Sequence, residues 1–161
     1  MERNFETVMI EQCSPVLAGL KAAGLFRYET RDCKDLTERV RGWNARLGEK
    51  GLRVRVLKGC ARTHRYLVYV YRENRLREVL SDEDVRAFLV QEGYRLPEGP
   101  DDCEPLLRQL SQRLCCEAEF PHEIGVFLGY PLTDVVGFIE NQGRNFTCCG
   151  CWKAYGDRDA A

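Results

Sequence analysis

Two periods of apolar residues alternate along the chain, and the points where one gives way to the other mark its elements. Phe5, Val8 and Met9 fall on one side of a helix predicted over Glu2 to Gln12, which stops before Ser14-Pro15 because proline disfavours the helical conformation of its predecessor. Cys13 to Phe26 shows no clean period and is broken by Gly19 and Gly24, so it reads as an irregular strand. Leu36, Val40, Trp43 and Leu47 then follow the spacing of one helical face over Asp35 to Leu47, with Asp35 and Glu38 placed as a capping box.

Leu52, Val54 and Val56 alternate with Arg53 and Arg55, the period of a half-buried strand. Arg65 to Arg72 is apolar on both faces and rich in Tyr and Val, which predicts a central strand paired antiparallel to the first through Gly59 to Thr63. Helices follow. Leu76, Val79 and Leu80 mark a short one, and Ser81 with Asp84 caps the next, whose buried face is Val85, Phe88 and Leu89. After the turn at Leu96 to Pro100, Leu106, Leu107, Leu110 and Leu114 define an amphipathic helix. Pro121 to Gly129 and Pro131 to Asn141 read as two helices meeting at a corner, each with proline in its first turn. Asn145 to Tyr155 reads as a last strand able to rejoin the sheet. Strands followed by a run of helices give an α+β class: a small antiparallel sheet packed against several helices, in a single domain over 1–161.

Composition narrows the setting. At 44% hydrophobic and 10% aromatic, the chain can bury enough apolar surface to offset its ordering entropy. No apolar run approaches the roughly 20 residues of a membrane helix, and the N-terminus lacks the basic start and apolar core of a secretory signal, so a cytoplasmic protein without a membrane partner is expected. Nine cysteines are many for this length, and an odd number cannot all pair within one chain. In a reducing compartment they are read as free thiols or metal ligands. The net charge of −1 hides a segregation: residues 39–77 carry twelve Lys or Arg against two acids, and residues 78–143 carry fourteen acids against four basic residues. A +10 segment is either a polyanion footprint or one half of a fold neutralised by the other.

The segment Phe120-Pro-His-Glu-Ile-Gly-Val-Phe-Leu-Gly-Tyr-Pro-Leu-Thr-Asp-Val-Val-Gly-Phe-Ile139, with Cys13-Ser-Pro-Val-Leu-Ala-Gly-Leu-Lys21, Val70-Tyr-Arg-Glu-Asn-Arg-Leu76 and Cys151-Trp-Lys-Ala-Tyr-Gly-Asp157, resembles a bacterial family known as domain of unknown function 3793. The resemblance implies an anaerobic setting and an association with iron or redox physiology, and it brings no catalytic residue or ligand. Members usually continue past the Trp-Lys-x-Tyr motif, whereas this chain stops at Ala161, so a final helix is expected to be either missing or dispensable.

The candidate chemistry falls in three places. His122 and Glu123 stand in a helical first turn, where amide hydrogens favour a phosphate or carboxylate, and Gly125, Gly129 and Gly137 form a stripe free of side chains against which a flat ligand, a partner backbone or simply another element could lie. An enzyme pocket would sit here, although no nucleophile or glycine-rich phosphate loop accompanies it. The corner imitates a helix-turn-helix, but its base-facing positions Pro131, Leu132, Thr133, Val136, Gly137 and Glu140 hold no side chain that reads bases. Cys115, Cys116, His122, Cys148, Cys149 and Cys151 have metal-ligand chemistry; Cys149 and Cys151 share a strand face, while Cys-Cys-Gly-Cys is not a paired CxxC arrangement. Arg53, Arg55 and Arg65 beside Tyr66, Tyr69 and Tyr71 would suit a single-stranded nucleic acid if those rings were exposed rather than core. The sequence therefore favours a non-catalytic binding or accessory protein tied to iron or redox physiology, with thiolate-bound metal as its implied cofactor. A nucleic-acid binder through 39–77 and an enzyme near His122 and Glu123 are its rivals, and a protein partner is compatible with the first.

Overall fold

The structure is a computed structural model that describes residues 4–60, 62–97, 103–116, 121–141, 148–149 and 153–154. In chain order the elements are α1 (Phe5–Leu17), β1 (Ala23–Glu29), α2 (Cys33–Leu47), β2 (Leu52–Cys60), β3 (Arg65–Arg72), α3 (Glu73–Ser81), α4 (Glu83–Gln91), α5 (Glu104–Cys116), α6 (Ile124–Phe127), α7 (Leu132–Asn141), β4 (Cys148–Cys149) and β5 (Lys153–Ala154). The class is α+β, as the order of periods predicts.

β3 is the middle of an antiparallel sheet in the order β1-β3-β2. Its alternate residues feed two cores. Tyr66, Val68 and Val70 meet Phe5, Met9, Cys13 and Val16 of α1 and Leu36 of α2 on one face. Tyr69 and Tyr71 meet α3 to α7 on the other, where Leu76, Leu80, Leu89, Leu107, Leu110, Ile124 and Phe127 are buried. A strand that feeds two cores is apolar on both faces, the pattern that marked it in the sequence. Tyr69 is fully buried, and its hydroxyl donates to the Phe127 carbonyl, so the ring fills the core while its polar end is satisfied.

β2 is an edge strand, and two side chains manage it. Asn44 of α2 accepts from the Val54 amide at 2.7 Å and donates to the Val54 carbonyl at 2.9 Å, taking the place of a further strand. Leu57 alternates to the face opposite Val54, a bulge between Val56 and Lys58 leaves it without a partner in the register, and Ser111 of α5 donates to its carbonyl at 2.7 Å. α5 thus docks on an irregularity of the strand.

Several boundaries differ from the expected ones. α1 runs past Ser14 to Leu17 with Pro15 inside it, because Cys13 and Val16 bury against the sheet and the proline falls in the last turn, where few helical bonds follow. Strand structure therefore begins only at Ala23 and extends to Glu29. α2 is capped by Asp32, which accepts from the Asp35 amide at 2.9 Å, so Asp35 is in the first turn and is not the cap. α4 is capped by Asp82 rather than Ser81, through the amides of Asp84 and Val85. The expected helix over 121–129 is a single turn, Ile124–Phe127, and Gly129 lies beyond it at φ +82°. β4 and β5 pair with each other in a separate two-stranded sheet and do not rejoin the first.

One side chain ties the two ends of this arrangement. Arg72, at the end of β3, donates to the carbonyls of Val16 at 2.8 Å and Leu17 at 2.9 Å, the open end of α1, while its amide bonds Ala22 at 2.9 Å. Arg72→Met, which keeps the stem and removes the donors, is expected to lower stability by about 1–3 kcal/mol. Urea unfolding of both proteins measures this, and an unchanged midpoint would contradict the role given to the guanidinium.

Candidate functional site

The helix corner is a closed structure. Glu123 is 4% exposed, and its carboxylate accepts from the Tyr94 hydroxyl at 3.1 Å and from Arg113 Nη1 at 3.2 Å. Arg113 in turn lies 4.3 Å from the centre of the Tyr94 ring and donates to the Glu92 carbonyl. The cluster joins the end of α4, the last turn of α5 and the start of α6. An anion placed at this corner would meet a carboxylate that already uses these donors. His122 is exposed, whereas Gly125 and Gly137 are buried.

Gly129 belongs to a different arrangement. The amides of Gly129 and Tyr130 bond the carbonyls of Val126 and Gly125 at 3.0 Å each, the double bond pattern that ends a helix on a left-handed glycine. A Cβ at this position would stand 2.9 Å from the Ala22 Cβ, so glycine also permits the close approach of the corner to the start of β1. That approach brings three distant segments to one pocket of about 450 Å³, lined by Leu20, Lys21 and Ala22, by Arg75, Glu78 and Val79 of α3, and by Gly129, Tyr130 and Pro131, with Pro15 at its edge. Lys21 Nζ donates to the Tyr130 hydroxyl at 3.0 Å and sits 4.3 Å from the centre of its ring. Among the described residues neither Lys21 nor Arg75 forms an ion pair. With Glu78 on the rim, the lining carries one net positive charge beside an apolar wall of Ala22, Val79 and Pro131. Such a site suits a molecule with an anionic group and a small apolar body.

A profile of the family described as "Protein of unknown function (DUF3793)" matches residues 9–161. The chain belongs to this family. No curated protein and no solved structure matches it. Three of the four stretches that carry the family resemblance meet at the pocket: Cys13–Lys21 supplies Lys21, Val70–Leu76 supplies Arg75, and Phe120–Ile139 supplies Gly129, Tyr130 and Pro131. The fourth, Cys151–Asp157, lies outside the described residues except for β5. Among the described residues, no helix is long and apolar enough to cross a membrane.

The other candidates are placed as follows. Cys115 is exposed on α5, Cys116 closes that helix, Cys148 and Cys149 form β4, and Cys151 lies outside the described residues. Among the described residues no three His, Cys, Asp or Glu side chains gather where one metal ion could be held. Arg53 pairs with Glu73 at 3.2 Å, Arg55 grips both oxygens of Glu104 at 2.7 Å, and Arg65 pairs with Glu29 at 3.1 Å at an exposed strand end. Tyr66, Tyr69 and Tyr71 are core residues, so they offer no stacking surface. Arg55 and Glu104 come from the basic and acidic segments respectively, and in this pair the two segments neutralise each other.

Lys21, Arg75 and Tyr130 escaped sequence reasoning because they lie 54 and 55 positions apart (21, 75, 130) and only the packed corner joins them. A lysine between two apolar stretches was the sole local signal. The thiols also separate by environment alone. Burial pushes the Cys13 thiol up to about 11, an inert core position, despite nearby Lys21.

The Arg55–Glu104 pair yields a pH prediction. Hydrogen bonding to Arg55 holds the Glu104 carboxyl below its ordinary value of 4.5 against the opposing effect of burial. A carboxylate lowered by folding stabilises fully at neutral pH, and the contribution fades as pH falls below the unfolded value toward the folded one. Glu104→Gln should therefore cost on the order of 1 kcal/mol at pH 7 for this partly exposed pair, with a smaller gap to the unaltered protein at pH 3. Urea unfolding at both pH values checks it, and an equal gap at the two would refute the ion-pair account.

Proposed function

We propose that this protein is a non-catalytic binding protein whose site is the pocket of Lys21, Arg75 and Tyr130, and whose ligand carries a phosphate or carboxylate on a small apolar body. The observation that carries this reading is the convergence of two cations without carboxylate partners, a phenol hydroxyl and an apolar wall on one concavity. Cations held beside a hydroxyl donate charge-assisted hydrogen bonds to an anion, roughly twice as strong as neutral ones. Among the described residues its lining offers Glu78 as the one carboxylate and no thiol or histidine.

An accessory role in iron or redox physiology, which the resemblance implies as context, is part of the same proposal. Thiolate-bound metal through Cys115, Cys116, His122, Cys149 and Cys151 is a separate proposition. Nucleic-acid binding through Arg53 and Arg55 has less support, since both guanidinium groups are engaged by carboxylates. An enzyme centred on His122 and Glu123 has less still, since the Glu123 carboxylate is buried between Tyr94 and Arg113.

Phenyl phosphate is a suitable probe, combining a dianion with a ring of the right size. Calorimetric titration of the full chain should show binding that Lys21→Met and Arg75→Met each weaken about tenfold, the worth of one charged hydrogen bond. Binding that neither substitution alters, or none in the millimolar range, would overturn the reading. Metal analysis of protein purified without oxygen separately decides the thiolate proposition.

A further inference from the structure

The pocket of Lys21, Arg75 and Tyr130 holds charges of both signs that do not cancel. Arg75 and Glu78 stand three positions apart on α3, where opposite charges are neighbours on the helix surface and attract. Both side chains line the concavity, yet among the described residues neither forms an ion pair. The Lys21 ammonium has three donors, and one of them is spent on the Tyr130 hydroxyl at 3.0 Å. The same concavity therefore offers cationic donors and a carboxylate, each open to a ligand.

The apolar side of the pocket carries a second, independent observation. α1 ends on Gly19 at φ +82°, and the amides of Gly19 and Leu20 bond the carbonyls of Val16 at 3.1 Å and Pro15 at 2.8 Å. This is the same bond pattern as at Gly129, so two helix ends turning on left-handed glycines frame the site. In such an ending the residue after the glycine commonly packs back on its own helix, but Leu20 is 78% exposed while it lines the pocket. A large apolar side chain held in water by a fixed turn gains when an apolar body lies against it.

We propose, resting on the reading of this pocket as a binding site, that its ligand is a zwitterion: an α-amino acid with a large apolar side chain. The ligand carboxylate takes donors from Lys21 and Arg75, its ammonium donates to Glu78, and its side chain lies against Leu20, Val79 and Pro131. The face of the Tyr130 ring that Lys21 covers, 4.3 Å from the ring centre, is closed to a second cation, which leaves the ammonium to Glu78. Glu78 then sets specificity. A purely anionic ligand meets a like charge there, whereas an amino acid meets an opposite one.

The test is calorimetric titration of the full chain at pH 7 with phenylalanine and with 3-phenylpropionate, the same molecule without its amine. Phenylalanine should bind about tenfold more tightly, the worth of one charged hydrogen bond, and Glu78→Gln should abolish that preference. Equal binding of the two, tighter binding of 3-phenylpropionate, or a preference that survives Glu78→Gln would overturn the inference. Leu20→Ser should weaken phenylalanine about fivefold through lost apolar contact, and unchanged binding would overturn the place given to the ligand side chain. The two-ligand comparison needs no variant, and Glu78 and Leu20 are both exposed, so their substitution spares the core. If phenyl phosphate binds through Lys21 and Arg75 while phenylalanine shows no preference, this inference fails and the reading of the pocket stands. If phenyl phosphate, 3-phenylpropionate and phenylalanine all fail to bind in the millimolar range, both fall.

Discussion

A strand buried on both faces is the constraint on which the remaining structure depends. From Val68 to Tyr71 β3 has no solvent side, so each of these residues must find an apolar neighbour, and two helical layers are needed to supply them. α1 and α2 cover one face, and α3 to α7 cover the other. Removing either layer would strand large rings such as Tyr69 in water, each worth about 1.5–3 kcal/mol of burial. The Tyr69 hydroxyl extends this dependence to the corner, because its acceptor is the Phe127 carbonyl in α6.

The pocket of Lys21, Arg75 and Tyr130 is a consequence of how the two layers close around the end of that strand. Arg72 pins the open end of α1, which holds the segment from Gly19 to Ala22 over the start of α3. The corner at Gly129 then comes down on Ala22 because no side chain intervenes. Neighbouring cations thus differ in their surroundings: Arg72 spends its donors on backbone carbonyls, whereas Lys21 and Arg75 line the concavity. The Glu123 cluster shows the opposite outcome, a charged group whose partners are all internal.

The thiols make a parallel point. Cys13 and Cys60 are chemically identical, yet burial drives one thiol toward neutrality while hydrogen bonds and cations favour the charged form of the other. Counting cysteines along the chain could not separate them. Attention to local charge would have helped, since Cys60 lies between Lys58 and Arg62 in a predicted hairpin turn. The adjacent pairs at 115–116 and 148–149 were more conspicuous in the sequence but less informative in the structure.

Period and propensity determined the α+β class, the β2–β3 pair, the two-faced burial of β3 and the apolar faces of α2, α4 and α5, because each is a local pattern read over a few turns or one strand. Boundaries were less legible. Pro15 announced a helix end that the burial of Val16 overrode, and Asp32 and Asp82 took the caps assigned to Asp35 and Ser81 because helix starts depend on which residue leaves the extended conformation last. Which cations are engaged was decided only in three dimensions: Arg55 meets Glu104 across 49 positions, and Lys21 meets Tyr130 across 109. Charge can be counted in a sequence, but whether a charge is neutralised depends on the few ångströms around it, and packing sets those.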